Sequence, residues 1–563
     1  VYCIQLAHIK ETRLDTYNVE TLLGLLQRNA EEIPDKIAYR FLEDGESHEI
    51  SLTHGELAQK AKAIASELQQ HHKPGDHILL LYPQSLDFVI AFFACAYAGL
   101  VAVPAYPPHP KRLERTLPRL QAIIKDCQAQ SVLSTAQACA MSSFLFPPGT
   151  ELADLTWYAS DKLQDSSELP WVDPEPSAET FAFLQYTSGS TGTPKGVCIS
   201  NKNVIANTAM IEDKGSDMTI LSWLPFYHDL GLMGGIVMPI YLGVSAVLMK
   251  PLDFIQQPLR WLKAISKYRA TMSTGPNFAL DICNERIRDE DLQNLDLSSM
   301  RFCIIGAEPL SARTLSTFNK KFAPAGWNPN CIVQGYGLAE CVVATIAGDP
   351  KKLHNTLKVD KNQLQKNSIV LTGDENSLEI VSCGSALEGV TAIIVDPNSR
   401  KQLDDNQVGE IWLAGPHIAN GYWNRPEDSD AIFNGRIADT NEGPYLRSGD
   451  LGFTHSGEFY VTGRMKELVI VRGQNHYPTD IEQSIARIGD SRIRAGTAAA
   501  FSVTVKDPDE RVIFQEIHPG YRKTKGDRPQ LLNADALTSC NQLTTLLRHS
   551  IPHNMHNTQH TNS

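Results

Sequence analysis

A loop rich in serine, threonine and glycine follows directly on an apolar segment about a third of the way along the chain. The segment Ala182–Tyr186 predicts a buried strand, and residues 188–193 are all serine, glycine or threonine. Backbone N–H groups of such a loop can close around phosphate oxygens, and Lys195 adds a positive charge beside it. It is not a Walker A loop, because Pro194 precedes the lysine and Gly196 follows it. We therefore expect a phosphate-binding loop, with a plain Ser/Gly linker as the less favoured alternative.

Short apolar, β-branched segments alternate with amphipathic helical stretches over most of the chain. This alternation favours an α/β fold with mostly parallel sheets. From about Gly389 the pattern changes to short strands separated by Pro, Asn and Gly turns, which predicts an antiparallel subdomain. The strands expected in the first part are Ile78–Tyr82, Ala182–Tyr186, Ile220–Trp223, Ala246–Met249 and Phe302–Ile305, and those in the second part are Val390–Val395, Gly409–Ala414 and Phe459–Val461.

The run from Phe88 to Val103 carries no charge over sixteen residues and so resembles a membrane span. It falls short of the roughly 20 residues that cross a bilayer, and Gly99 and Pro104 divide it. Ser85 is suited to the N-cap position of a helix. We therefore expect a buried helix over Leu86–Ala98, followed by a core strand, and no membrane span.

The protein carries 51 Lys and Arg residues against 64 Asp and Glu residues, a net charge of −13. An acidic chain without a basic stripe argues against a nucleic-acid-binding function. The eleven cysteines are never closer than ten residues, so no Cys-x-x-Cys zinc or redox pair is present. Reduced thiols, together with an N-terminal sequence unlike a signal peptide, predict a cytoplasmic protein.

Further motifs follow the glycine-rich loop along the chain: Pro225–Leu232, Gly306–Leu310, Gln334–Glu340, Val408–Trp412, Gly421–Asn424, Tyr445–Asp450 and Gly463–Arg464. In composition and order they resemble the acyl-adenylate-forming superfamily, which comprises acyl-CoA synthetases, peptide-synthetase adenylation domains and luciferases. The resemblance extends over about residues 15–515.

The resemblance implies a particular division into domains. A large N-terminal adenylation domain over residues 1–463 would contain two α/β subdomains and a distorted antiparallel β subdomain. A small, mobile α+β C-terminal domain over residues 464–563 would follow a hinge at Gly463–Arg464. The unusually long segment at about residues 350–380 would be a family-specific insertion; an ordinary surface insertion is the alternative, since long loops are thermodynamically tolerated.

The chemistry of single residues in the motifs agrees with nucleotide binding. Tyr336, between two glycines, offers a flat face to a purine. Asp450 can accept hydrogen bonds from ribose hydroxyls, and Arg464 can donate to the same sugar. Glu340 is a hard oxygen ligand suited to Mg²⁺ that bridges phosphates. His228 would contact the substrate carboxylate or shape its channel.

The resemblance implies ATP and Mg²⁺ as cofactors, with Lys195, His228 and Glu340 as catalytic residues and Glu340 as the metal ligand. The residues expected to bind the nucleotide are Thr187, Ser188, Gly189, Ser190, Thr191, Gly192, Thr193, Gly306, Ala307, Glu308, Gly335, Tyr336, Gly337, Asp450 and Arg464. Each residue taken alone also fits a structural role, and the shared order of the motifs favours a joint function.

The implied reaction is attack by a substrate carboxylate on the α-phosphate of ATP, giving acyl-AMP and pyrophosphate. The segments Pro104–Pro110 and Arg472–Pro478 resemble the fatty acyl-AMP ligases in particular, whose insertion is thought to restrain the C-terminal domain and disfavour transfer to coenzyme A. The partners would then be a fatty acid and the phosphopantetheine thiol of an acyl carrier protein. Met233, Ile236 and Phe278 are the expected walls of the acyl pocket. The sequence does not determine the length of the acyl chain.

Two other functions remain open, a fatty acyl-CoA synthetase and a non-catalytic protein that binds a nucleotide or an acyl-adenylate. The second arises because the superfamily's closing Pro-Lys-Thr-x-x-Gly-Lys motif, whose last lysine reaches the α-phosphate, does not occur after Ile517. We expect either a C-terminal domain that is truncated or divergent after about residue 517, or a sequence from which part of that domain is missing, and we do not give Lys525 that role. The tail His549–Ser563 predicts a frayed polar end, with a histidine metal site as the alternative.

Overall fold

A computed structural model of the 563-residue chain describes residues 19–108, 113–146, 149–164, 169–187, 194–211, 218–374, 377–471, 474–478, 482, 493–503 and 510–517. The predicted nucleotide-binding residues Ser188, Gly189, Ser190, Thr191, Gly192 and Thr193 lie outside the described residues, as does the chain beyond residue 517.

The strands of the described chain are β1 (Ile37–Leu42), β2 (Glu49–Thr53), β3 (His77–Leu80), β4 (Val101–Pro104), β5 (Ser131–Ser134), β6 (Thr156–Ala159), β7 (Phe181–Thr187), β8 (Lys195–Ser200), β9 (Thr219–Ser222), β10 (Ser245–Met249), β11 (Met272–Gly275), β12 (Phe302–Ile305), β13 (Ile332–Tyr336), β14 (Ile346–Ala347), β15 (Thr356–Asp360), β16 (Ser377–Val381), β17 (Ser385–Ala386), β18 (Thr391–Val395), β19 (Gly409–Ala414), β20 (Leu446–His455), β21 (Glu458–Arg464), β22 (Val469–Val471), β23 (Gln474–His476), β24 (Ile493–Val503) and β25 (Glu510–Ile517).

The helices are α1 (Leu22–Glu32), α2 (His54–Leu68), α3 (Leu86–Ala98), α4 (Leu113–Cys127), α5 (Ala136–Leu145), α6 (Ser160–Leu163), α7 (Asn201–Met210), α8 (Asp229–Leu232), α9 (Met238–Leu242), α10 (Pro251–Gln256), α11 (Leu259–Tyr268), α12 (Asn277–Arg286), α13 (Ala312–Phe322), α14 (Lys361–Leu364) and α15 (Pro426–Phe433). A π-helical turn over Met233–Val237 joins α8 to α9.

The first sheet has six strands in the order β6-β5-β3-β4-β7-β8. Its pairs are parallel except for β7 and β8, which run antiparallel. Thr187 at the end of β7 faces Lys195 at the start of β8, so the glycine-rich stretch connects two neighbouring strands. The strands predicted at Ile78–Tyr82 and Ala182–Tyr186 are confirmed as β3 and β7.

The second sheet has nine strands in the order β17-β14-β13-β12-β11-β9-β10-β1-β2. The strands from β13 to β1 in that order are parallel, and β2, β14 and β17 add antiparallel edges. Parallel neighbours need crossover connections, which accounts for the alternation of strands and helices in the sequence. The carboxyl ends of β12 and β13 lie side by side, at the kind of edge where α/β sheets bind ligands. The strands predicted at 220–223, 246–249 and 302–305 are confirmed as β9, β10 and β12.

The change of pattern near Gly389 corresponds to a separate sheet. Strands β18, β19, β20 and β21 form a four-stranded antiparallel sheet in that order. The predicted antiparallel subdomain is therefore confirmed, and the predicted mixed α/β fold with it. Strand β21 ends at Arg464, and the proposed domain boundary at residues 463 and 464 stays a prediction.

Helix α3 is the predicted buried helix and has the predicted bounds. Eleven of its thirteen residues are buried, so its sequence, which is apolar apart from Asp87, belongs to the core. It ends at Gly99, whose φ of 74° lies in the left-handed region that glycine adopts readily. Ser85 precedes the helix as expected, but its hydroxyl donates to Asp87 at 3.3 Å and makes no capping bond to the backbone. Among the described residues, no helix combines the length and the apolar character needed to cross a membrane.

The segment at about residues 350–380 folds onto the antiparallel sheet. It contributes the antiparallel pair of β15 and β16 and the short helix α14 between them in sequence. Val359 and Leu364 of this segment share a buried cluster with Phe453 of β20 and with Tyr477. This segment therefore contacts both the antiparallel sheet and the chain that follows β21. Its origin as an insertion stays a prediction.

Candidate nucleotide-binding and catalytic site

Tyr336, Asp450 and Arg464 meet where the second sheet approaches the antiparallel sheet. The Tyr336 hydroxyl, at the end of β13, donates to Asp450 Oδ2 at 2.9 Å. Arg464 Nε donates to Asp450 Oδ1 at 3.1 Å, because the two residues face each other across β20 and β21. The structure thus brings together three of the predicted nucleotide-binding residues, two of which are 114 positions apart.

The Asp450 carboxyl group is buried, with 8% of the residue exposed. Burial raises the pKa of Asp450, and the positive charge of Arg464 offsets part of that rise. Burial also raises the pKa of Tyr336 far above its ordinary value, so the neutral phenol acts as a donor. A carboxylate has about four acceptor positions, and these two contacts use two of them. Asp450 therefore has capacity for further donors, such as ribose hydroxyls.

The glycines of two motifs are required by close backbone packing. A Cβ atom on Gly306 would lie 2.4 Å from the carbonyl oxygen of Gly335 on the neighbouring strand. A Cβ atom on Gly337 would lie 2.0 Å from the carbonyl oxygen of Val343. Close backbone contact is thus a reason for these glycines, and the space for a purine next to Tyr336 stays a prediction.

Ala307 and Glu308 follow β12 at the same edge and are both exposed. Ala307 has a φ of 65°, which is unusual for a residue with a side chain. Glu308 accepts a hydrogen bond from the backbone N–H of Phe278 at 2.6 Å and so links this turn to the start of α12. The nucleotide-binding role of both residues stays a prediction.

Glu340, the predicted metal ligand, lies in a short 3₁₀ turn that follows β13. Its Oε1 accepts a hydrogen bond from the hydroxyl of Tyr422 at 2.6 Å. Burial raises the pKa of Glu340, so its charged form gains if a cation binds. Among the described residues, no group of three or more His, Cys, Asp or Glu side chains could hold a metal ion. A single carboxylate nevertheless fits Mg²⁺, which commonly takes one or two carboxylates and completes its shell with phosphate oxygens and water.

Lys195 begins β8 and is paired with a residue that sequence analysis did not single out. Its Nζ lies 2.9 Å from Asp428 Oδ2, in the first turn of α15. The same ammonium group lies 5.0 Å from the centre of the Tyr422 ring. The lysine is therefore held between a carboxylate and an aromatic face beside the glycine-rich stretch.

His228 is half exposed and precedes the short helix α8. Its Nδ1 lies 2.6 Å from Asp229 Oδ1. This hydrogen bond raises the pKa of His228 and outweighs the opposing effect of burial. The imidazolium form is thus favoured next to any negatively charged substrate group.

Known proteins are similar to this chain in sequence and in fold. Residues 26–423 match the family described as AMP-binding enzyme. The medium-chain-fatty-acid–[acyl-carrier-protein] ligase JamA of Moorena producens is 40% identical over 512 residues, covering 90% of this chain and 86% of the relative. The long-chain-fatty-acid–AMP ligase FadD32 of Mycolicibacterium smegmatis is 34% identical over 555 residues, covering 93% of this chain and 86% of the relative. The chain belongs to the fatty acyl-AMP ligases of the AMP-binding enzyme family.

A solved structure supports the membership. The fatty acyl-adenylate ligase of L. pneumophila, in complex with acyl adenylate and pyrophosphate, has a TM-score of 0.76 and 36% identity. The match covers 94% of this chain and 90% of that chain. The resemblance to fatty acyl-AMP ligases that the motifs suggested is thereby confirmed, together with the fold that it implied.

This fatty acyl-AMP ligase has a cavity of about 350 Å³ beside the segment that carries His228. Tyr227 lines it, and the backbone carbonyl of Tyr227 accepts a hydrogen bond from Gln185 at 2.9 Å. The main apolar and aromatic side chains of the lining are Tyr82, Phe88, Tyr106, Phe226, Leu252 and Ile255. Such a lining suits a hydrocarbon chain.

The three residues predicted as acyl-pocket walls do not line this cavity. Met233 and Ile236 are buried in the π-helical turn and belong to the same large core cluster as Phe88 and Phe226. Phe278 is 39% exposed at the start of α12. Their role as pocket walls stays a prediction.

Sequence reasoning did not assign a role to Tyr422, Asp428 or Tyr106. Tyr422 belongs to a motif that was recognised by its order in the family, and Tyr106 to the proline-rich segment after β4. The motif pattern marked both regions. Their contacts depend on distant parts of the chain, and Asp428 lies outside every motif.

Proposed function

We propose that the protein joins a fatty acid to AMP with release of pyrophosphate, and then transfers the acyl group to the thiol of an acyl carrier protein. The observation that carries the proposal is the convergence of groups suited to a ribose and to magnesium-bound phosphates at one edge of the second sheet. Tyr336 contacts Asp450 at 2.9 Å, and Glu340 follows Tyr336 by only four positions. JamA and FadD32 are ligases of medium-chain and long-chain fatty acids, which supports fatty acids as the substrate class.

In the first step, a carboxylate oxygen of the fatty acid attacks the α-phosphorus of ATP. The bond from that phosphorus to the bridging oxygen of the β-phosphate breaks, and pyrophosphate leaves with the electron pair. Such a step depends mainly on in-line positioning and neutralisation of charge. Asp450 and Arg464 would hold the ribose, and the Lys195 ammonium would contact the phosphates.

Glu340 is the residue that would hold Mg²⁺. When bound, the ion neutralises negative charge on the phosphates. Because burial raises the pKa of Glu340, bringing a cation to this carboxylate stabilises its ionised form. The hydroxyl of Tyr422 donates to Glu340 Oε1, and the carboxylate keeps further acceptor capacity for the ion.

The aromatic cavity would take the hydrocarbon chain. Removing apolar surface from water contributes roughly 25 cal/mol per Å², so a cavity of about 350 Å³ can favour fatty acids over shorter acids. His228 follows Tyr227 of the lining, which would place its imidazolium near the substrate carboxylate. The hydrogen bond to Asp229 keeps that positive charge in place.

In the second step, a thiolate attacks the carbonyl carbon of acyl-AMP, a thioester forms and AMP leaves. The insertion at about residues 350–380 bears on the choice of thiol. Its Asn367 accepts a hydrogen bond from the Tyr477 hydroxyl at 3.4 Å, and Tyr477 is buried against Val359 and Leu364. These contacts would restrain the chain beyond β21 and so disfavour transfer to coenzyme A.

We also propose a cytoplasmic location. The nine cysteines within the described residues are all free thiols, and eight of them are buried. Free thiols persist in reducing compartments such as the cytosol.

Two assays test the proposed function. ATP–pyrophosphate exchange should depend on a medium- or long-chain fatty acid, and radiolabelled fatty acid should appear on a carrier protein in preference to coenzyme A. Absence of exchange in a folded, ATP-binding sample would favour a non-catalytic binding protein. Preferential labelling of coenzyme A would identify an acyl-CoA synthetase instead.

A further inference from the structure

The segment Gly421–Asp428 is attached by its backbone to the strand that begins with Lys195. The N–H of Cys198 donates to the carbonyl oxygen of Gly421 at 2.9 Å, and the N–H of Trp423 donates to that of Gly196 at 2.7 Å. These bonds extend the first sheet beyond β8. The segment therefore has a fixed position relative to the lysine.

The same stretch of chain is attached to the turn that carries Glu340. The N–H of Ala419 donates to the carbonyl oxygen of Glu340 at 2.9 Å. On the other side, the N–H of Tyr422 donates to the hydroxyl of Ser429 in α15 at 2.9 Å. The backbone around Tyr422 is thus bonded both to β8, which carries Lys195, and to the turn that carries Glu340.

Charge pairs hold the far end of the segment. Arg425 donates to Asp126 at 2.6 Å and lies 4.0 Å from Asp428. Asp126 also accepts a hydrogen bond from the Tyr186 hydroxyl at 2.7 Å, and Asp428 pairs with Lys195 at 2.9 Å. Through these contacts the segment is tied to α4 and to both strands that flank the glycine-rich stretch.

The side chain of Tyr422 contacts both charged groups of the proposed phosphate site. Its hydroxyl donates to Glu340 Oε1 at 2.6 Å, and the centre of its ring lies 5.0 Å from the Lys195 ammonium. Phe433 packs edge-on against the ring at 5.2 Å between centroids and fixes its plane. The Tyr422 side chain thus offers a hydrogen-bond donor to the Glu340 carboxylate and a π face to the Lys195 ammonium group.

We propose that Tyr422 is a positioning residue, which holds the Glu340 carboxylate and the Lys195 ammonium in the arrangement that magnesium-bound ATP requires. The proposal rests on the proposed function, since it takes Glu340 as the Mg²⁺ ligand. Tyr422 acts through these two groups and not on the reacting atoms. Losing an outer hydrogen-bond partner of a metal ligand typically lowers metal affinity about 10- to 100-fold.

The substitution Tyr422→Phe removes the hydroxyl and keeps the ring. Titration calorimetry with α,β-methylene-ATP, which cannot be cleaved between the α- and β-phosphates, is performed once with Mg²⁺ and once with EDTA. In Mg²⁺, we expect the variant to bind the analogue about 10- to 100-fold more weakly than the unchanged protein does. In EDTA, the two proteins should bind the analogue with equal affinity. Because the Tyr422 hydroxyl acts through Glu340, adding Tyr422→Phe to Glu340→Gln should cause no further loss of affinity for the analogue in Mg²⁺.

A matched control is Tyr268→Phe, because Tyr268 donates to Glu49 at 2.7 Å in a separate tyrosine–glutamate pair. This variant should keep the full gain from Mg²⁺. The inference is overturned if Tyr422→Phe keeps that gain, or if it loses as much affinity in EDTA as in Mg²⁺. Acyl-AMP formation by the unchanged protein is measured in parallel, so that failure of the proposed function is recognised separately from failure of the inference.

Discussion

Replacing Asp450 by asparagine tests the ribose contact with little change in side-chain shape. Asp450 is buried and accepts hydrogen bonds from Tyr336 at 2.9 Å and from Arg464 at 3.1 Å. Asparagine keeps the volume and one acceptor oxygen, but it lacks the charge that strengthens hydrogen bonds from ribose hydroxyls.

The expected loss of ATP affinity follows from the strength of hydrogen bonds to a charged group. A hydrogen bond to a charged group contributes about 1.5–3 kcal/mol, so losing one should raise the Kd for ATP about 10- to 150-fold. Burial raises the pKa of Asp450, which means that the folded protein disfavours its charged form relative to the unfolded chain. Removing the charge therefore relieves this cost, and the affinity should fall without a matching loss of stability.

Calorimetric titration of ATP and a thermal unfolding curve measure the two quantities separately. The substitution Asp296→Asn is a control, because it removes an exposed Asp–Arg pair with Arg269 outside the site. For the unchanged protein, ATP affinity should weaken as the pH falls through the raised pKa of Asp450, and the Asp450→Asn variant should lack that dependence. An unchanged Kd in a folded Asp450→Asn variant would refute the ribose assignment.

Three further predictions concern the catalytic groups and the insertion. Glu340→Ala should abolish acyl-AMP formation at saturating ATP through loss of the metal site, and near-normal turnover would contradict the assignment. Asp229→Asn removes the carboxylate whose charge-assisted hydrogen bond raises the pKa of His228, so the decline of kcat/KM on the alkaline side should begin at lower pH; an identical pH profile would argue against an imidazolium role. Tyr477→Ala removes a buried ring from the cluster formed with the segment at about residues 350–380. Such a change typically lowers the free energy of unfolding by about 3–5 kcal/mol. If the cluster restrains the C-terminal part of the chain, acyl-CoA formation should increase. Tyr477→Phe keeps the ring and should retain the preference for the carrier protein, and equal acyl-CoA yields from both variants would indicate that the insertion is no restraint.

The main elements could be predicted because their signals are local. Helix α3 has the predicted bounds, since Gly99 interrupts the uncharged run and favours the end of a helix there. Strands β12 and β19 also match their predicted bounds, because each is a short apolar run between turn residues. The order of strands in the second sheet was not predicted, because it depends on which helix crosses which face.

In the candidate site, too, residues marked by a local motif could be predicted, and contacts between distant residues could not. Asp450 and Arg464 could be predicted as partners of one ligand from their motifs, and they face each other across two neighbouring strands. The pairing of Lys195 with Asp428 was not predictable, because the two residues are more than 200 positions apart and the acid lies in no motif. The apolar cavity likewise depends on side chains from several elements, none of which identifies it alone.

The sequence by itself determined the types of secondary structure, the core helix and the start of an antiparallel subdomain near residue 389. It also identified most of the candidate binding groups. Periodicity, turn residues and motif chemistry are local properties, so they can be read without the tertiary structure. Tertiary structure alone decided that Tyr422 contacts both Glu340 and Lys195, that glycines at 306 and 337 are required by backbone contact, and that the segment at about residues 350–380 clusters with Tyr477. These contacts arise from close packing of distant segments, where a difference of an ångström separates a hydrogen bond from none.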